Sequence, residues 1–348
     1  MSVPSQSLPQ AQAQTQPSPV LFFETINGYQ RTQALKSAIE LDLFTAIGEG
    51  NTTPEAIALR CQASVRGTRI LCDYLVVAGF LKKENGGYGL TPDSAAFLNR
   101  HSPAYLGGTL QFLVNPMLLD TWNDIAAVVR KGGTVISPAG AMEAEHPMWA
   151  DFARGMAPLM KMPAEIIARI LHANSAPKWK VLDIAAGHGI FGITLAQHNR
   201  QAEIVAVDWK HVLEVAQENA RQAGVQDRYR TLAGSAFEVD FGGGYEVVLL
   251  TNFLHHFDPP TNEVLLRKVH AALAPGGRAV ALEFVPNEDR VSPGPAAQFS
   301  LTMLAGTAAG DAYTFAEYQQ MLANAGFAES ELHEMPPTFE RLVVAKKK

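Results

Sequence analysis

The chain has 348 residues, 47% of them hydrophobic and 18% charged, and carries a formal net charge of −6. That length calls for about two domains, and the acidic balance argues against a nucleic-acid partner, which wants a basic face. No unbroken apolar stretch approaches the ~20 residues of a spanning helix, so no membrane partner is expected.

Residues 1–20 open with MSVPSQSLPQAQAQTQPSP, rich in Gln, Pro, Ser and Ala, with neither a basic residue nor an apolar core. Such a stretch buries too little to fold and lacks the parts of a signal peptide, so it reads as a disordered leader on a cytoplasmic protein. The two cysteines, Cys61 and Cys72, fall in apolar helical patterns and read as reduced core thiols.

From about Phe22 to Ile47, the residues Leu35, Ile39, Leu43 and Phe44 recur at helical spacing and predict a first helix. In NTTPEAIALRC, Thr52 or Thr53 can cap a second, with Pro54 at its first position and Glu55 near its positive end. A third fits SVRGTRILCDYLVVAGF, and LKKENGGYGLT reads as a hairpin around Asn85-Gly86-Gly87. Three helices and a hairpin make a winged-helix unit over residues 21–100. Its eight Lys/Arg and eight Asp/Glu cancel, and a third helix bearing Ile70, Leu71, Leu75, Val76, Val77 and Phe80 is built to be buried. Docking against another chain or domain explains it better than DNA binding does.

Residues 101–175 read as a helical, methionine-rich linking segment in which Trp149, Phe152, Met156, Leu159 and Met160 share one side at steps of three and four. Ordinary helix core accounts for such a stripe, although a methionine-rich wall also suits an apolar ligand.

Residues 176–348 alternate strands and helices. WKVLDIAAG, AEIVAVD, YRTLAGSAF, YEVVLLTNF and GRAVALEFVP read as strands, with helices between most of them. That alternation predicts an α/β fold, a parallel sheet covered on both faces. Two terminal strands near 330–335 and 339–345, joined by a short link, must pair antiparallel, since a parallel pair needs a long crossover.

Ligands of open α/β sheets bind beyond the carboxyl ends of the strands. The first such loop, DIAAGHGIFG, contains Gly187, Gly189 and Gly192 at dinucleotide spacing, and Asp208 ends the next strand where a ribose-binding carboxylate belongs. A nicotinamide enzyme and an S-adenosylmethionine enzyme would both want these parts. Asp183 separates them: a carboxylate four residues before Gly187 would repel a pyrophosphate but suits a ligand carrying an ammonium and a sulfonium.

With those residues in place the sequence resembles the class I S-adenosylmethionine-dependent small-molecule O-methyltransferases that carry an N-terminal winged-helix dimerisation domain. VLDIAAGHG, VAVDW, LAPGGRAVALE and FARGM carry the resemblance, which covers about residues 20–346. It implies a Rossmann-like sheet of seven mostly parallel strands with an antiparallel C-terminal strand, a homodimer and no metal. It further implies that Asp183, Ala185, Gly187 and Gly189 line the methionine part of the cofactor, that Asp208 holds the ribose with Trp209 beside the adenine, and that Ser235, Ala236 and Phe237 flank the adenine. The family usually has an aspartate where Ser235 stands. Thr251 and Asn252 complete the implied cofactor set.

The same resemblance puts the general base at His255, with His256 where relatives carry an aspartate and Glu283 as the first supporting carboxylate. The second falls on Ala312, so either neighbouring Asp311 stands in or the base is held differently. Phe152, Met156, Leu159, Met303 and Thr307 match substrate-lining positions, with Trp149, Met160 and His256 beside them. A phenol with a pKa of about 10 stays protonated at neutral pH, and an imidazole titrating near 6.5 can take its proton during transfer. Adjacent residues leaving a strand point oppositely, so His256 is expected to be structural or to cap the helix beginning near Pro260. The acceptor is read as a small aromatic or polyketide-like molecule. Methylation on N or C, an S-adenosylmethionine-binding member with non-methylating chemistry or no activity, a ligand-responsive regulator and a nicotinamide oxidoreductase stay as alternatives.

Overall fold

The computed structural model describes residues 17–136, 146 and 148–348. Most of the expected leader, and residues 137–145 and 147 of the linking segment, lie outside them. The chain divides into two compact units, up to Gly107 and from Gly108 onward.

The first unit holds helices α1 (Val20–Ile26), α2 (Gly28–Glu40), α3 (Leu43–Gly48), α4 (Pro54–Arg60), α5 (Val65–Val77) and α6 (Pro92–Phe97), with strands β1 (Leu81–Glu84) and β2 (Gly87–Leu90) before α6. The single helix expected across Phe22–Ile47 is three. Asp42 adopts a left-handed φ of 56° that ends the run, and its carboxylate is tied to Arg60 at 3.2 Å and Arg100 at 2.8 Å. Thr53 does cap α4, accepting from the Ala56 N–H, with Pro54 at the first position. The hairpin turn is Asn85-Gly86, both at positive φ, and Glu84 pairs with Gly87. Two consecutive left-handed residues match the right-handed twist of a tight hairpin. On α5 the apolar residues divide: Cys72 and Leu75 are core, whereas Ile70 is 43% and Val77 88% exposed, so this chain alone does not bury the whole face.

The second unit begins with α7 (Gly107–Leu113), α8 (Pro116–Asp120), α9 (Ile125–Lys131) and the long α10 (Met148–Ile170). Then come β3 (Lys180–Ile184), α11 (Ile190–His198), β4 (Glu203–Asp208), α12 (Lys210–Gln222), β5 (Tyr229–Ala233), β6 (Tyr245–Thr251), α13 (Pro259–Ala272), β7 (Leu273–Glu283), α14 (Gly294–Gly306), α15 (Phe315–Asn324), β8 (Glu329–Glu334) and β9 (Arg341–Lys346). The seven strands run in the order β5-β4-β3-β6-β7-β9-β8. All neighbours up to β7 are parallel, and β9 is antiparallel to both β7 and β8. This is the sheet that the alternation and the short terminal link predict.

Strands covered on both faces read as continuous apolar runs, and VVLLT of β6 is buried throughout. On one face Met160, Ile167, Phe191, Leu195 and Leu213 from α10, α11 and α12 pack on Val181, Leu249 and Leu282. On the other, Leu265, Leu266, Tyr318 and Leu322 from α13 and α15 pack on Leu182, Leu250 and Ala281. Strand order reverses between β3 and β6, so the crevice of this sheet opens beyond the carboxyl ends of those two strands.

Candidate active site

Beyond β3 the chain makes a turn that few sequences allow. Ala185, Gly187 and Gly189 stand at φ of 53°, 56° and 73° before α11 begins. A Cβ on Gly189 would lie 2.5 Å from the Tyr229 hydroxyl, and one on Gly192 would lie 2.9 Å from Asp183 Oδ2 and 2.8 Å from Ile204. The first and last of these glycines therefore do different work: one bends the turn, the other lets α11 close on the sheet. The Gly192 N–H donates to Asp183 Oδ2 at 3.1 Å. Asp208, at the end of β4, accepts from the N–H groups of Gly187 at 2.8 Å and Trp209 at 2.7 Å. The other oxygen of Asp183 is buried with no partner among the described residues.

Burial pushes the Asp183 carboxyl up to about 8, with Asp208 adding to the rise. Asp208 is likewise raised, by burial first, against the two N–H groups that favour its charge. The buried Asp183 and half-buried Asp208 carboxyls, facing one loop, would be relieved by a cation and not by a pyrophosphate. The donor set therefore fits a positively charged, hydroxyl-bearing nucleoside ligand.

At the end of β6 the chain does not continue extended. Asn252 takes a left-handed φ of 53°, and Leu254–His256 form one 3₁₀ turn. The alternation assumed for the two histidines fails for that reason: their rings lie side by side, 4.4 Å between centroids. Nor does His256 cap the next helix, because Asp258 does, accepting from the Thr261 N–H at 2.9 Å. His256 packs edge-on to Trp149, and its buried Nδ1 has no partner among the described residues. Burial, reinforced by His255, holds its pKa well below the usual imidazole range.

His255 is 4% exposed and Glu283 is fully buried. Glu283 Oε1 accepts from the N–H groups of Phe253 and Leu254 at 2.9 and 2.8 Å, while Oε2 lies 2.5 Å from His255 Nδ1. With Nδ1–H donating, Nε2 keeps its lone pair. The carbonyls of Leu254 and Phe257 accept from Asn262 Nδ2, and the Tyr313 hydroxyl donates to Phe257 at 2.6 Å. The turn is thus held from β7, α13 and the segment before α15.

Of the other expected site residues, Asp311 does not join this pair. Its carboxylate faces Arg290 at 3.6 Å and accepts from the Ala312 N–H at 2.8 Å, and its side chain is 39% exposed. Met160 is 9% exposed, in the core behind α10, where its sulfur meets Asn252 Nδ2 at 3.7 Å. Asn252 thus bonds away from the cofactor loop, to Glu340 at 3.0 Å. Met156 and Leu159 are partly buried beside that core. Phe152 packs on Trp149 and Phe112, and Trp209 joins Trp149 against Ala150 and Ala153.

Thr307 closes α14 by donating to the Met303 carbonyl and accepting from the Gly310 N–H, so its hydroxyl is already engaged. Thr251 and Met303 are buried at 6% and 7%. Ser235 accepts from the Phe237 N–H at 3.3 Å, and Lys268 binds the Ala236 carbonyl. Sequence reasoning missed Phe299, whose ring stands 4.9 Å from and edge-on to His255, and Glu340. Neither sits in a motif, and only the fold brings them here. Among the described residues no group of three His, Cys, Asp or Glu side chains is placed to hold a metal.

A Rossmann-like sheet with a glycine turn, a buried and a half-buried carboxyl and a buried His–Glu pair at its carboxyl edge defines an α/β enzyme that uses a nucleoside cofactor. Residues 23–100 match the family described as an O-methyltransferase dimerisation domain, and residues 181–277 match a methyltransferase domain. A crystal structure from Nostoc punctiforme, assigned to the O-methyltransferases, is 55% identical, with a TM-score of 0.92 and coverage of 95% of this chain and all of that one. The 3-hydroxy-5-methyl-1-naphthoate 3-O-methyltransferase of Streptomyces sahachiroi is 29% identical over 89% of this chain and 90% of its own. Acetylserotonin O-methyltransferase of Mus musculus is 26% identical over 92% and 86%. The chain belongs to the O-methyltransferase family that carries an N-terminal dimerisation domain, and it is a methyltransferase.

Proposed function

We propose that this chain moves the methyl group of S-adenosylmethionine to a hydroxyl of a small aromatic or polyketide-like molecule, with His255 as general base. The observation that carries this reading is the buried His255–Glu283 pair at the ligand edge of the sheet. With Nδ1 facing Glu283, Nε2 is the ring nitrogen left for an acceptor. The bound cofactor supplies a methyl group already activated by the sulfonium.

What remains for the protein is alignment, exclusion of water and disposal of one proton. Asp183 and Asp208 offer their carboxyls to the ammonium and ribose ends. The acceptor hydroxyl gives its proton to His255 Nε2 as oxygen takes the methyl group, and Glu283 stabilises the resulting imidazolium through Nδ1–H. His256, kept neutral by burial, adds no second positive charge beside it. An apolar wall of Phe152, Met156 and Leu159 on α10 suits a flat acceptor.

Calorimetric titration with S-adenosylhomocysteine and NADH, then mass spectrometry of hydroxynaphthoates incubated with labelled cofactor, tests this. A single added methyl group, absent with His255→Ala, is expected. Stabilisation by NADH alone, or methylated product at the wild-type rate from the variant, would overturn it.

A homodimer in the cytoplasm completes the reading. None of the residues of α1 is buried, and Leu21 and Phe22 are 75% and 62% exposed; a second copy covering this helix explains its apolar composition. Cys61 and Cys72 are unpaired, as a reducing compartment requires, and burial pushes the Cys72 thiol up to about 12. Light scattering that gives the mass of one chain at working concentration would remove the dimer.

A further inference from the structure

Glu340 has been given no role so far, yet it is a buried carboxylate bonded to the residue that opens the His255 turn. It immediately precedes β9 and is 6% exposed. Burial raises its pKa most; Asn252 opposes the rise, while Glu283 and His255 act on it with opposite signs. Its Oε1 accepts from Asn252 Nδ2 at 3.0 Å.

Asn252 is the residue where the chain leaves β6 and turns toward His255. Its N–H still donates to the Leu282 carbonyl at 2.8 Å, so the strand register holds up to this point. Its backbone then takes the left-handed φ of 53°, which a non-glycine residue keeps only where its surroundings fix it. The next two N–H groups fall on Glu283, and the third residue on is His255. Among the described residues the Asn252 side chain is held by its hydrogen bond to Glu340, with the Met160 sulfur beside it, and its amide oxygen is buried without a partner.

We propose that Glu340 is a positioning residue for His255: by holding the Asn252 amide it locks the left-handed residue that sets the direction of the catalytic turn. The proposal rests on the reading of His255 as base, but its first test needs no acceptor. In the full chain with S-adenosylhomocysteine added, the Nδ1 proton of His255 is followed by nuclear magnetic resonance in Glu340→Gln, Glu340→Leu and Asn252→Ala. Glutamine can still accept from Asn252 and is expected to keep the wild-type signal. Leucine cannot, and Asn252→Ala has no amide and no glycine freedom at a left-handed φ, so both are expected to broaden or lose it.

With a methylated acceptor in hand, Glu340→Leu lowers kcat by about 10-fold to 100-fold with KM for the cofactor little changed, and Glu340→Gln recovers it. A wild-type signal in both Glu340→Leu and Asn252→Ala would overturn the proposal, as would a glutamine variant that behaves like leucine. If Glu340→Leu does not fold, the glutamine and alanine variants decide. A chain that transfers no methyl group would remove the proposed function and leave the resonance comparison standing.

Discussion

At the β3–β4 end of the sheet the backbone itself shapes the ligand edge, whereas at the β6–β7 end side chains from distant parts of the chain shape it. The cofactor loop is built of positive-φ residues, N–H groups and glycines too close to Tyr229 and Asp183 to carry a Cβ. The His255 turn is held by Glu283, Asn262, Tyr313 and Phe299, each from a different part of the chain. The first arrangement tolerates almost no change of residue type. The second can exchange partners, provided each buried polar group finds another.

The largest effect that tests this contrast is at the base. His255→Ala is expected to lower kcat by about 10² to 10⁴ while the Kd for S-adenosylhomocysteine stays within about twofold. A comparable loss of cofactor affinity would mean that the two ends are not separable. On the cofactor side, Gly189→Ala puts a methyl group at a φ of 73° and against Tyr229. It is expected to cost about 1–3 kcal/mol in stability and to weaken the cofactor by about tenfold, read from thermal unfolding and calorimetry. If the variant binds normally, the loop is less tightly built than its geometry implies.

A smaller effect follows from Asp183, which burial holds at about 8. Below that pH the ligand-free carboxyl carries a proton, and a cationic cofactor favours its loss. Affinity for S-adenosylmethionine is therefore expected to rise with pH toward about 8, by at most about tenfold per unit, with release of a proton. Calorimetry in two buffers of different ionisation enthalpy measures that proton; a buffer-independent enthalpy counts against the role given to Asp183. The smallest effect is expected for His256→Phe, which keeps an aromatic ring among Trp149, Phe253 and Phe257. It should cost less than about 1.5 kcal/mol and leave kcat within about threefold. A loss as large as that of His255→Ala would make the two rings one functional unit.

The same contrast explains what could be read before folding. The cofactor loop and the Asn85-Gly86 hairpin were legible because their backbone angles demand particular residues at fixed spacing. The β-strands followed from apolar runs, and the antiparallel end of the sheet from the shortness of its link. Asp42 escaped notice because its left-handed break sits in a sequence whose apolar spacing continues across it. The two histidines misled because strand alternation was carried past Thr251, where the strand stops. Glu340 and Phe299 could not be found at all: their distance from His255 along the chain is closed only by the β7–β9 pairing and by α14.

Gly310 holds a further consequence. A Cβ there would collide with the carbonyl oxygen of His255 and lie 2.7 Å from Thr307 Oγ1 and 3.0 Å from the carbonyl carbon of His256. The connection between α14 and α15 is thus pressed directly onto the His255 turn, and no side chain separates them. Libraries that diversify α14 therefore need to leave this contact alone, because a single added methyl group at Gly310 would shift His255 whatever else is changed.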